Sequence, residues 1–331
     1  MFNSSGNKKL GYVLGALALI VIILVINDIV GGGNRERSKS FRSELVETDT
    51  ADIVSISILK KGTFDNPVKL TKKDKEWFVS QAGKEFKAKK SSVERIIAEL
   101  KRIKPERVAA TSKDSWKKYE VNDSLSTRVL IKTSKKEEEL LIGKFSYQQP
   151  KNPQMQQYNP YGGPQGKMTT YVRIEGEKPV YAVDGFLSMT FNRELKDFRD
   201  NMIVESNTGD WTRISFTGDS INYNLTKEND KWMLDGLMVD STKMADYLSK
   251  ANYISSNEFI DNIKPTVNPV SSVTIEGKNF TGPLKIDAYV SADTTYKYLI
   301  SSSQNKDNYF GDEDGKLYER IFKHKEELQL Q

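Results

Sequence analysis

Two stretches of this 331-residue chain can be laid on one another, and that internal repeat restricts the fold more than any other feature. The first reads VKLTKKDKEWFVS from Val68 and the second NYNLTKENDKWMLD from Asn222. Leu70-Thr71-Lys72 align with Leu225-Thr226-Lys227, and Trp77 aligns with Trp232 at the same offset. A chain this long exceeds what one hydrophobic core organises, so two folded units are expected, and the repeat makes them related copies.

Each Trp is followed by an amphipathic stretch. In the first copy Val93, Ile96, Ile97, Leu100 and Ile103 recur at helical spacing, Ser91 and Glu94 read as a capping box, and Pro105 marks the end. In the second copy Asp240 or Ser241 is the expected N-cap, with Met244, Leu248 and Ala251 on one face and a connection from Trp to helix that reads as seven residues shorter. Strand-like stretches surround the first helix at 54–59, 128–132, 139–142, 171–174 and 180–183, and the second at 213–216, 272–275, 284–290 and 296–301. Closing helices are expected over Leu187, Phe191, Leu195 and Phe198 and over 316–327. Hairpin-like strands mixed with few helices predict an α+β fold with mainly antiparallel sheets, not βαβ units. Trp77 and Trp232 then read as core anchors, because a large ring on a strand facing a helix supplies buried area.

Before the repeat, Leu10 to Ile26 is free of charge and Ile29-Val30 continue it beyond Asn27-Asp28. Seventeen residues of helix reach roughly 25 Å, close to a bilayer core of about 30 Å. A cleaved signal peptide is the rival, with Lys8-Lys9 as its basic start, but the apolar run is long for one and Asn27-Asp28-Ile29-Val30 is a poor cleavage site. The expected order is a tail at 1–9, a transmembrane helix at 10–30, a linker at 31–50, a first module at 51–205 and a second at 206–331. Arg35, Arg37, Lys39 and Arg42 follow the apolar run while only Lys8 and Lys9 precede it, which favours a cytoplasmic C-terminal side; long domains, however, translocate largely regardless of charge.

Absence of cysteine excludes disulfides, thiolate metal sites and cysteine nucleophiles. His324 is the single histidine, so chemistry needing two imidazoles is excluded as well. A net charge of +5 gives no whole-protein field for nucleic acid, and the local basic excess from Lys60 to Lys118 reads as solvated surface.

The string Leu70 through Trp77, the helix through Ile103, Pro105-Glu106-Arg107-Val108, Tyr171-Val172-Arg173, Val180-Tyr181 and Phe198-Arg199-Asp200 together resemble the bacterial domain-of-unknown-function 4340 family. The resemblance spans roughly 52–205 well and reaches the second half through the repeat. Tyr119-Glu120-Val121 departs from the Tyr-Gly-Leu-like turn common in that family, so a different local turn is expected. The resemblance implies a single membrane segment, no assigned catalytic residues, and a role accompanying gliding-type ABC transport systems. It thereby favours a bacterial inner-membrane protein with a periplasmic soluble region.

Among candidate sites, 147–168 is a Gln/Pro/Tyr-rich stretch too long for an ordinary connector. It reads either as a tolerated insertion or as a partner-binding loop in which Tyr147, Tyr158 and Tyr161 are amphipathic anchors. Asp307, Asp312, Glu313 and Asp314 with Gly311 and Gly315 look like a calcium loop, but the ligand spacing fails. No phosphate loop, nucleophile elbow or distinguished carboxylate pair is present. The expectation is a non-catalytic accessory or scaffold protein without cofactor or metal, bound to the bilayer through 10–30 and to membrane subunits such as an ABC-transporter permease or auxiliary subunit, and not to nucleic acid. The alternative is an envelope receptor or enzyme using a cleft between the modules.

Overall fold

The computed structural model describes residues 42–149, 166–263, 265 and 267–329. The expected tail, transmembrane helix and most of the linker lie outside these residues, as do Tyr158 and Tyr161. Among the described residues no helix is long and apolar enough to cross a membrane.

The fold is sheet-rich α+β, and the ladders described are antiparallel. The first half supplies β1 (Ile53–Leu59), β2 (Val68–Lys73), β3 (Glu76–Gln81), β4 (Lys84–Lys87), β5 (Pro105–Ala110), β6 (Thr127–Thr133), β7 (Glu137–Gln148), β8 (Lys167–Ile174) and β9 (Val180–Asp184). Its helices are α1 (Lys90–Arg102), α2 (Trp116–Tyr119), α3 (Ser188–Phe191) and α4 (Leu195–Phe198). The second half supplies β10 (Met202–Glu205), β11 (Trp211–Gly218), β12 (Tyr223–Glu228), β13 (Lys231–Leu234), β14 (Leu237–Met238), β15 (Tyr253–Ser255) and β16 (Phe259–Ile260). It continues with β17 (Ser271–Gly277), β18 (Leu284–Val290), β19 (Tyr298–Ser302) and β20 (Asn305–Asp312), and its helices are α5 (Ser241–Ala251) and α6 (Lys316–Ile321).

One nine-stranded sheet runs β4-β3-β2-β1-β6-β7-β8-β9-β5, and the other runs β14-β13-β12-β11-β17-β18-β19-β20-β16. The two orders are the same permutation. The repeat residues also share a register: Lys72 pairs with Trp77 in the first sheet, and Lys227 pairs with Trp232 in the second. Each Trp carbonyl accepts an amide hydrogen bond from the residue two before the following helix, Ala88 at 2.8 Å and Val239 at 3.1 Å.

The connection from Trp to helix is four residues shorter in the second copy, not seven. The first copy crosses β3, the turn Ala82-Gly83 and β4 before Lys90, whereas the second turns at Asp235-Gly236 and reaches its helix at Ser241. Two residues are missing from each strand, and an even number leaves every side chain on its original face.

By contacts the chain divides into two compact units: residues through Ile53 with 58–64 and 97–192, and residues 54–57 with 65–96 and 193–331. The division runs through the first sheet, because β2, β3, β4 and the start of α1 belong to the second unit. In the first unit Val129, Ile131, Leu140, Val172, Tyr181 and Phe191 are buried. In the second, Trp211, Ile214, Phe216, Trp232, Met244 and Phe310 belong to one cluster.

Several local expectations need correction. Helix α1 begins at Lys90, so Ser91 lies inside it and its capping-box pairing with Glu94 does not mark the start. The helix expected over 187–198 is two short helices, because Glu194 opens a new capping box with Asp197. The final helix stops at Ile321; Phe322 is extended, and a 3-10 turn follows at Lys325–Glu327. Part of the presumed loop is strand, since Tyr147 pairs with Met168 and Gln148 with Lys167.

Candidate functional site

The start of α1 is bound to a distant stretch of the second unit by backbone hydrogen bonds. Ala88 and Lys89 lead into the helix, and the Lys89 amide donates to the Phe198 carbonyl at 2.7 Å. The Asp200 amide donates to the Lys87 carbonyl at 2.8 Å, and Ala88 forms an isolated antiparallel bridge with Arg199. These backbone bonds bring residues from two distant parts of the sequence alongside the helix start. The Ser92 hydroxyl adds a bond to the Asp197 carbonyl at 3.0 Å.

Arg199 is the buried centre of this junction, only 2% exposed. Its guanidinium lies between two rings, 3.6 Å from the Phe86 centroid and 4.0 Å from that of Phe259. One terminal nitrogen donates to Asp261 at 2.9 Å and the other to the Asn308 side chain. Burial pulls its pKa down, and the hydrogen bond and charge of Asp261 oppose that shift. Its Nε–H has no partner, nor does Oδ1 of the adjacent, buried Asn201.

A cavity of about 230 Å³ opens here, walled by Lys89, Arg95, Arg193, Lys196 and Arg199, with Asp197 as its acidic group. The Asp197 carboxylate already accepts from the Glu194 amide at 2.9 Å. Among the described residues Lys89, Arg95 and Arg193 form no ion pair. A wider cleft of about 680 Å³ shares Lys89 and Ser91 with this cavity, and Trp77, Met202 and Tyr253 give it apolar surface. Asp200 also lines it, with a carboxyl raised by burial against the opposing amide bond from Met202 and the charges of Lys87 and Lys89.

The residues singled out from sequence lie apart. Trp77 on β3 is half-buried on the wall of the wide cleft. Trp232, its counterpart on β13, is 7% exposed within the second core cluster. Tyr147 lies at the end of β7, 41% exposed, with its ring over Gly166 so closely that a Cβ there would meet it at 2.2 Å. Beside that strand end Phe145 packs on Phe186, ring centroids 4.3 Å apart. Phe186 is 43% exposed and Met189 71%, forming an apolar surface at the end of β7, β8 and β9. Thr170 steadies it: its hydroxyl donates to the Gly185 carbonyl at 2.7 Å and accepts from the Leu187 amide at 3.3 Å.

Asp312, from the calcium-like stretch, caps α6 by accepting from the amides of Gly315, Leu317 and Tyr318 at 2.8 to 3.2 Å. Among the described residues no cluster of three or more His, Cys, Asp or Glu is placed to hold a metal.

The family-pattern residues acquire structural roles. Arg173, 1% exposed, donates to the Val121 carbonyl at 2.9 Å and to Glu175 at 2.8 Å, and stacks 3.8 Å from the Trp116 ring. Its partner Val121 follows Glu120, whose φ of 57° is left-handed, so Glu occupies the conformation that a glycine turn would supply. The expected departure is therefore one of residue type within a left-handed turn. Lys89, Arg95 and Arg193 escaped sequence reasoning, although aligning the helix starts sets Lys89 opposite Asp240.

No curated protein and no solved structure matches the chain. The family described as Domain of unknown function (DUF4340) matches residues 77–272, which takes in both Trp77 and Trp232 and the whole of the cationic helix start. The chain belongs to the DUF4340 family.

Proposed function

We propose that this protein is a non-catalytic, membrane-anchored accessory subunit whose soluble region faces the periplasm and binds other subunits of an envelope ABC-transport or gliding-type machine. The observation that carries this reading is the exposed apolar surface of Phe186 and Met189, beside the strand end that carries the exposed Tyr147, in a nine-stranded sheet. Aromatic and methionine side chains concentrate in protein interfaces, and here they are held on hydrogen-bonded backbone. The uncharged run 10–26 supports a helical anchor. From Gly31 to Arg42 a fully extended chain reaches at most about 40 Å, which bounds how far Arg42 can stand from such an anchor.

Affinity purification of the full chain from gently solubilised membranes is expected to recover a permease or auxiliary subunit. Recovery should fall at least tenfold for the triple variant Tyr147→Ser, Phe186→Ser, Met189→Ser, all at exposed positions. Equal recovery by parent and variant would remove the surface from the reading. Digestion of the soluble region by protease added to intact spheroplasts is expected for the outward orientation; protection would reverse it.

A further inference from the structure

The two related helix starts carry opposite charges at one equivalent position. Lys89 and Asp240 are equivalent residues: each immediately precedes its helix, and each carbonyl accepts the amide four residues on, from Val93 at 3.2 Å and Met244 at 2.9 Å. In the second copy the Asp240 carboxylate accepts from the Thr242 and Lys243 amides at 2.9 and 3.0 Å. This is an acceptor at the positive end of a helix. In the first copy the same place holds a lysine, and the first turn of α1 contains no acidic residue. Lys89 thus adds positive charge to a helix end that is already positive, while the neighbouring Lys90 pairs with Glu94 at 3.9 Å.

Around that end stand Arg95, Arg193 and Lys196, and from below comes Arg199, buried and with Nε–H unpartnered. A cationic wall and a helix N-terminus meet at one cavity of about 230 Å³, lined also by the buried Arg199 and by one carboxylate, Asp197. Such a set is complementary to a compact oxyanion. We propose that the start of α1 binds the phosphate group of a small phosphorylated ligand, which supplies to α1 the negative charge that Asp240 supplies to α5. Ser91 and the first amides of α1 are the neutral donors, and Arg95 and Arg193 are the principal charged ones. The shared cleft beyond Lys89, with Trp77 and Tyr253, accommodates the organic part of the ligand. This site does not depend on the accessory-subunit reading.

The test uses the full-length chain in detergent micelles, with inorganic phosphate as probe and chloride at equal ionic strength as reference. Phosphate is expected to raise the thermal midpoint saturably above the chloride reference. Arg95→Gln and Arg193→Gln should each weaken that affinity roughly tenfold, the scale of one lost charge-assisted hydrogen bond. Lys89→Asp should raise the midpoint without phosphate and abolish the response to it, an outcome that general charge screening does not produce. Equal effects of phosphate and chloride, or unchanged affinity in both arginine variants, would overturn the proposal. Competition then identifies the source of the group: displacement by glycerol 3-phosphate indicates a soluble monoester, and displacement by monomeric dihexanoylphosphatidylglycerol indicates a lipid headgroup. Displacement by neither would overturn the assignment of an organic phosphate.

Discussion

Glu120 and Gly143 show how one turn constrains two residues in opposite ways. Glu120 holds a left-handed backbone at φ 57°, and a Cβ on Gly143 would come within 2.2 Å of the Tyr119 carbonyl oxygen. Glu120→Gly is therefore expected to stabilise the chain by about 1 kcal/mol in urea denaturation, less the small contribution of the exposed Lys61–Glu120 pair. Gly143→Ala should cost about 2 kcal/mol, because the contact is with backbone that cannot rotate away. At Asp200 the carboxyl is raised by burial, so the folded chain holds this proton more tightly than the unfolded one. Stability is then lost as pH rises from the ordinary carboxylate value through the raised one. Asp200→Asn keeps the oxygen that accepts from the Met202 amide at 3.1 Å, and should raise the thermal midpoint at neutral pH but not near pH ~3. An equal rise at both pH values would mean that ionisation is not the cause.

Elements were legible where their period was carried by buried residues and illegible where it was not. The buried face of α1, with Val93, Ile96 and Leu100, follows directly from apolar spacing. Its start did not, because Ser91 and Glu94 imitate a capping pattern while the true cap position holds Lys89, which has no side-chain acceptor. The break between α3 and α4 was hidden for a related reason: Leu187, Phe191, Leu195 and Phe198 keep helical spacing across it, and all but Leu195 are buried. The cationic cavity draws on Lys89, Arg95, Arg193 and Arg199, which lie far apart in sequence and are brought together by the backbone bonds of residues 87–89 to residues 198–200. The hairpin comparison yields its own prediction. Deleting Ser80-Gln81 and Lys84-Glu85 together should leave a folded chain with native circular dichroism, because it reproduces the shorter hairpin of the second copy. Deleting Ser80 alone should not, because it reverses the faces of the residues beyond it.

At the scale of the whole molecule, covalent order and compact units do not coincide. Strands β2, β3 and β4 lie in the first sheet by topology and in the second unit by contacts, and Arg199 joins Phe86 on β4 to Phe259 on β16. Phe86→Ala, a loss of about 3 kcal/mol for a buried ring, should reduce amide hydrogen-exchange protection in β16 and β20 as well as in β4. Loss confined to the hairpin would show that Arg199 does not couple them. The twice-used strand permutation has a historical consequence too. A nine-stranded order repeated without change points to a gene that was copied within itself, so its ancestor encoded about half of the region that the two sheets now occupy. The two copies have since diverged at the same point of the fold, one helix start closed by its own aspartate at position 240 and the other left with a lysine at position 89.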